Sequence, residues 1–173
     1  MSKNKGDKGN LVLELFSEEI PARMQTGSEK QLTNLFEKSL MNRDIGYGPI
    51  STFCSPRHLS VIIKNIDLKQ KNQIIEKRGP RLGSNEKAIH GFLKSNNIQE
   101  NDVVIKDTKN GKFYFYLNQI NGINTSEVLP EIINEIINNF VWPKSQRWAY
   151  SELRWARPLR NILLLFNNQP IEG

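Results

Sequence analysis

The chain has 173 residues, enough for one domain or two small lobes, and its 38% hydrophobic and 24% charged content excludes a disordered polymer. A formal net charge of +6 and a sequence pI of about 9.5 favour an anionic partner, nucleic acid ahead of an anionic membrane surface, although modest positive charge also serves solubility alone. The lone Cys54 excludes an internal disulfide, and no stretch approaches the roughly 20 apolar residues of a membrane helix, so a reducing, cytoplasmic setting is expected.

Residues 1–10 are rich in Lys, Gly and Asn and read as a flexible basic tail, with one α+β region over 11–173. The run Leu11 to Phe16 predicts a buried strand. Ser17-Glu18-Glu19-Ile20 leads to Pro21, suited to a first helical turn, and the two glutamates would favour the positive end of a helix running to about Met41. Leu32, Leu35, Phe36 and Leu40 mark its buried face; Gly27 weakens its first part, and Ser28 with Gln31 offers a second cap. Past the Gly46 to Pro49 turn, strands are predicted near Ile50 to Cys54, Leu59 to Ile66 and Gln73 to Lys77, the last ending at Gly79-Pro80. A short helix over Asn85 to Ser95 and a hairpin around Asn110-Gly111 follow. A helix from Asn124-Thr125 carries the strongest periodic signal, from Val128 to Phe140. An apolar strand over Leu159 to Phe166 comes last; if central, it needs cover on both faces. This order predicts an α+β fold with a mixed, mostly antiparallel sheet and about three helices. The stop at Gly173, soon after a core strand, suggests truncation at the C-terminal end.

No catalytic set assembles from the sequence. His58 and His90 lack metal-ligand neighbours at helical spacing, and neither a Walker-type nor a dinucleotide glycine loop is present, so no catalytic or metal residue is assigned. Glu18 and Glu19 suit helix-end stabilisation better than acid–base work. Cys54 reads as a small buried residue rather than a nucleophile. Two basic segments remain. Lys77, Arg78 and Arg81 flank a Gly-Pro bend, either holding phosphates from a loop or forming a charged surface turn. The segment Trp142 to Arg160 holds all three tryptophans with Lys144, Arg147, Arg154, Arg157 and Arg160 interleaved. Composition ranks core packing of the tryptophans first, a protein interface second and RNA stacking third.

Taken in order, the motifs resemble one family. Leu11 to Pro21 is similar to the opening of the beta subunit of bacterial glycyl-tRNA synthetase. Ser55-Pro56-Arg57-His58-Leu59, Glu76-Lys77-Arg78-Gly79-Pro80, and the pairs Pro143-Lys144, Arg147-Trp148 and Arg157-Pro158 resemble its later blocks. Ser17, Ile20 and Ala22 depart mildly from the family's Thr, Leu and Pro, and Gln146 stands where Met is common. The family's subunit is several times longer, so the resemblance implies its N-terminal part. It also implies a non-catalytic role in attaching glycine to tRNA. ATP, with magnesium, would be used at the alpha subunit, and no cofactor would be bound here. The implied partners are the alpha subunit, in a heterotetramer of two alpha and two beta chains, and tRNA for glycine, with no membrane. Lys77, Arg78, Arg81, Lys144, Arg147 and Arg157 become candidate contacts to RNA or the alpha subunit; the alternative is a purely structural scaffold without direct RNA contact.

Overall fold

A computed structural model describes residues 8–148 and 152–172. Most of the predicted tail, residues 1–7, lies outside the described residues, but residues 8–10 already belong to a strand. The chain divides into two compact units, Met1–Lys71 with Ile123–Gly173, and Asn72–Gly122.

The first unit is a five-stranded antiparallel sheet in the order β2-β3-β1-β7-β8, where β1 is Lys8–Ser17, β2 Ile50–Cys54, β3 His58–Asp67, β7 Leu159–Phe166 and β8 Gln169–Pro170. Two helices, α1 (Ala22–Asn42) and α3 (Thr125–Asn139), contribute to the same core. The strand period of two decides which side chains join it. Leu11, Leu13 and Leu15 alternate inward on β1, opposite Ile63, Val61 and Leu59 of β3, and all six are essentially inaccessible. Leu32, Phe36 and Leu40 of α1 and Leu129, Ile132 and Ile136 of α3 complete it at helical spacing. The apolar run of β7 is less enclosed than its composition suggests. The strand has only the two-residue β8 beyond it, and Ile162 and Leu163 are each 43% exposed.

Three local expectations change. Helix α1 passes through Gly27 unbroken, and Ser28 donates from Oγ to the Gln25 carbonyl at 2.6 Å instead of starting a second cap. Pro21 is the residue before the helix rather than in it, and no acidic residue falls in the first turn. The Glu18 carboxylate turns away: its Oε1 receives Arg160 Nε and Nη2, each at 2.7 Å, and Oε2 lies 3.7 Å from Arg57 Nη2.

The second unit is a three-stranded antiparallel sheet, β4-β6-β5, with β4 Gln73–Arg81, β5 Val103–Thr108 and β6 Gly111–Ile120, and the helix α2 (Glu86–Asn96). Asn85 caps α2 by accepting the Lys87 N–H at 2.6 Å, and Asn97 ends it at φ 52°. Strand β4 does not stop at Gly79-Pro80. It crosses that dipeptide with a register shift between Arg78 and Arg81 and stays paired to β6. As a sheet edge it tolerates a proline that donates no hydrogen bond. Gly79 is required by packing: a Cβ there would sit 2.8 Å from Phe92 Cε1 of α2. The β5–β6 turn is made by Lys109-Asn110, one residue earlier than Asn110-Gly111, and Gly111 at φ 110° is the first residue of β6, paired with Thr108.

Incoming and outgoing chain at the junction of the second unit are tied together within the first. Gln70 N donates to the Ile123 carbonyl at 2.9 Å, Thr125 N to the Leu68 carbonyl at 2.8 Å, and Lys69 and Asn124 form an antiparallel bridge.

Candidate functional site

Strand alternation sorts the first basic group. Arg78 pairs in register with Phe115 and Arg81 with Phe113, so both arginines share a face with those two rings, whereas Lys77, opposite Tyr116, points to the other. The Arg78 guanidinium stacks 3.6 Å above the Phe113 ring. Arg81 lies along the backbone of Gly111, where a Cβ would come within 3.0 Å of its Nε. Lys106 on β5 pairs with Glu76 and reaches the Phe115 ring. Lys77 instead donates to Asn96 Oδ1 at 3.0 Å, at the end of α2. The three cations expected in one loop are therefore on a strand and split two to one.

The second segment is organised by its tryptophans. Trp155 is fully buried and Trp142 is 6% exposed; with Phe140 they form a cluster whose ring centroids lie 4.7–5.2 Å apart. Trp148 is half-buried against the same core. Core packing is thus the role of this aromatic set, and the stacking platform for bases does not exist at Trp142 or Trp155. Gln146 and Trp155 exchange backbone hydrogen bonds at 2.9 and 3.2 Å, folding the segment back on itself. Lys144 and Arg157 are thereby brought to one cleft of about 310 Å³, which Arg23 of α1 also lines. Arg157 Nε donates to the Glu19 carbonyl at 3.4 Å. Arg147 is not part of that cleft; its Nη1 pairs with Glu152 at 3.1 Å. Nothing in the local pattern around Arg23 marks it, because its neighbours across the cleft are more than a hundred residues away.

Other reactive groups are engaged structurally. Burial pushes the Cys54 thiol above its ordinary pKa, opposed by the Ser28 hydroxyl 3.4 Å away and reinforced by the Glu29 carboxylate. That is the environment of a packed thiol, not of an activated nucleophile. His58 Nδ1 lies 3.3 Å from Glu14 Oε2 on the adjoining strand. Among the described residues no group of three His, Cys, Asp or Glu side chains converges as a metal site, and no helix is long and apolar enough to cross a membrane.

What these elements define is an antiparallel α+β protein with an excess of cationic over acidic side chains. Comparison with known proteins specifies it further. The family model for the glycyl-tRNA synthetase beta subunit matches residues 11–173. Glycine--tRNA ligase beta subunits of Rhodospirillum centenum and Dinoroseobacter shibae are each 36% identical, over 94% and 92% of this chain, and cover 23% and 22% of those relatives. The Rickettsia bellii subunit is also 36% identical, over 92% of the chain and 24% of the relative. The chain belongs to the glycyl-tRNA synthetase beta-subunit family. It spans less than a quarter of the length of the curated relatives it matches.

Proposed function

We propose that this chain serves glycine–tRNA ligation as a non-catalytic part of the beta subunit, contacting tRNA through the Arg78–Arg81 face of β4. In this reading ATP and its magnesium ion are used at the alpha subunit, in a cytoplasmic assembly of two alpha and two beta chains. The supporting observation is that family membership over residues 11–173 coincides with two arginines on one ring-bearing sheet face. A guanidinium stacked on an aromatic ring keeps its N–H edge available for phosphate, and its fork geometry suits two phosphate oxygens at once.

The test uses the complete alpha–beta enzyme with Arg78 and Arg81 replaced together by alanine. Two lost phosphate contacts make the slope of log affinity against log salt shallower by about 1.5–2 and weaken tRNA binding at least about tenfold near 0.1 M salt. Unchanged affinity and slope in a folded variant would reject RNA contact on this face. A scaffold reading would then take over, and it already has support in the ties of Lys77 to Asn96 and Arg147 to Glu152.

A further inference from the structure

The start of α1 is electrostatically odd. A helix N-terminus carries partial positive charge and is ordinarily met by a capping oxygen or an acidic side chain. Here Pro21 offers no side-chain cap, the first turn has no acidic residue, and it carries Arg23 instead. Lys144 and Arg157 are then folded onto the same cleft from the far end of the chain, and among the described residues no carboxylate side chain lines it. Arg23 and Lys144 make no ion pair or hydrogen bond among the described residues, and Arg157 is held only through its Nε to the Glu19 carbonyl. Three cations at the positive end of a helix repel one another, and a bound anion relieves that repulsion.

Next to this cleft, sharing Arg23 and Met24 with it, lies a hollow of about 140 Å³ lined by Gly27, Ser28, Gln31, Phe140 and Trp142. Gly27 is mid-helix, where glycine is unfavourable, yet a Cβ there would meet nothing within 4 Å. The hollow also adjoins Trp142, which is 6% exposed and whose indole Nε1 finds no hydrogen-bond partner among the described residues. An anionic group beside a partly apolar recess fits a nucleotide better than an acidic side chain, which would leave the recess empty.

We propose that this cleft and hollow seat one nucleotide of a single-stranded RNA segment, its phosphate among Arg23, Lys144 and Arg157 and its base beside Gly27. The proposal rests on the RNA-contact reading above but places a second contact away from β4. The probe is a 5′-phosphorylated single-stranded RNA hexamer, labelled and titrated into the chain by fluorescence polarisation over a salt series. Arg23→Gln combined with Lys144→Gln is expected to weaken binding about tenfold or more and to flatten the salt slope by about 0.7 per phosphate released. Gly27→Leu, which fills the hollow from a position where the fold has space, is expected to weaken binding comparably without changing that slope, and Gly27→Ala and Lys38→Gln to leave binding unchanged. Inorganic phosphate should compete with the hexamer on the parent chain and not on the double variant.

Equal hexamer binding by all variants, with loss only on replacing Arg78 and Arg81, would overturn the cleft and leave the RNA reading standing. No hexamer or tRNA binding by the parent protein would remove both. A glutamate-rich hexapeptide that binds more tightly than the RNA, and is lost in the double variant, would overturn the nucleotide in favour of a protein partner. Near-UV circular dichroism of each variant separates lost contact from lost fold.

Discussion

Glu18 shows how a side chain assigned by local logic is claimed by a distant one. Two acidic residues before a proline are a helix-start signature, yet Glu18 binds Arg160, 142 positions away, and sits near Arg57. It links the ends of β1 and β7 with the β2–β3 connection. All three side chains are partly exposed, at 38%, 58% and 50%, so solvent screening keeps the contribution modest. Glu18→Ala should cost about 0.5–1 kcal/mol, and less at 1 M salt, as read by urea denaturation; a salt-independent loss above about 2 kcal/mol would contradict that. The Cys54 thiol, expected to be buried, is only half-buried against the core. Because its thiol pKa is raised in the folded state, the folded chain holds that proton more tightly than the unfolded one. This contribution is complete below the unfolded thiol's pKa and is lost as pH rises through the folded value. Iodoacetamide should therefore alkylate Cys54 more slowly in the native chain than in urea at pH 8, and a faster native rate would show an activated thiol instead.

At the scale of elements, periodicity carried most of the information. The 3.6-residue repeat from Val128 to Phe140 located α3, and its inward set is the one found buried. Ile132 is fully enclosed in the core cluster, so Ile132→Ala should cost about 2–5 kcal/mol, measured as a shift of the denaturation midpoint. A loss under about 1 kcal/mol would mean that α3 is not held by this core. What periodicity could not convey was continuity through a breaker. Gly79-Pro80 reads as a strand end, but an edge strand needs no donor from its proline and absorbs the irregularity as a register shift. That one difference moves Lys77, Arg78 and Arg81 from a flexible loop to a pleated strand. Alternation then removes Lys77 from the arginine face. The tryptophans give the converse lesson. Composition alone left three readings open, and burial of Trp142 and Trp155 against Phe140 selects packing.

For the molecule as a whole, fold class and family were readable because local signals and motif order agree along nearly the entire chain. The pairing of Arg23 with Lys144 and Arg157 in one cleft was not, because it depends on which distant segments meet. The division into two units was equally hidden. Its boundaries, near Lys71 and Gly122, fall in short polar connections that look like any other turn. Yet the hydrogen bonds joining Gln70 to Ile123 and Leu68 to Thr125 hold the cut points side by side, as neighbouring strands are held, about 5 Å apart. Residues 72–122 can then be excised and replaced by a two- or three-residue Gly-Ser bridge without stretching what remains. The shortened protein should melt cooperatively and keep the helix signal of α1 and α3, losing only that of α2; a molten product would show that the inserted piece is needed to fold its host. In evolutionary terms, a closed neck of this kind lets one chain acquire or shed a whole appendage while its parent sheet stays as it was.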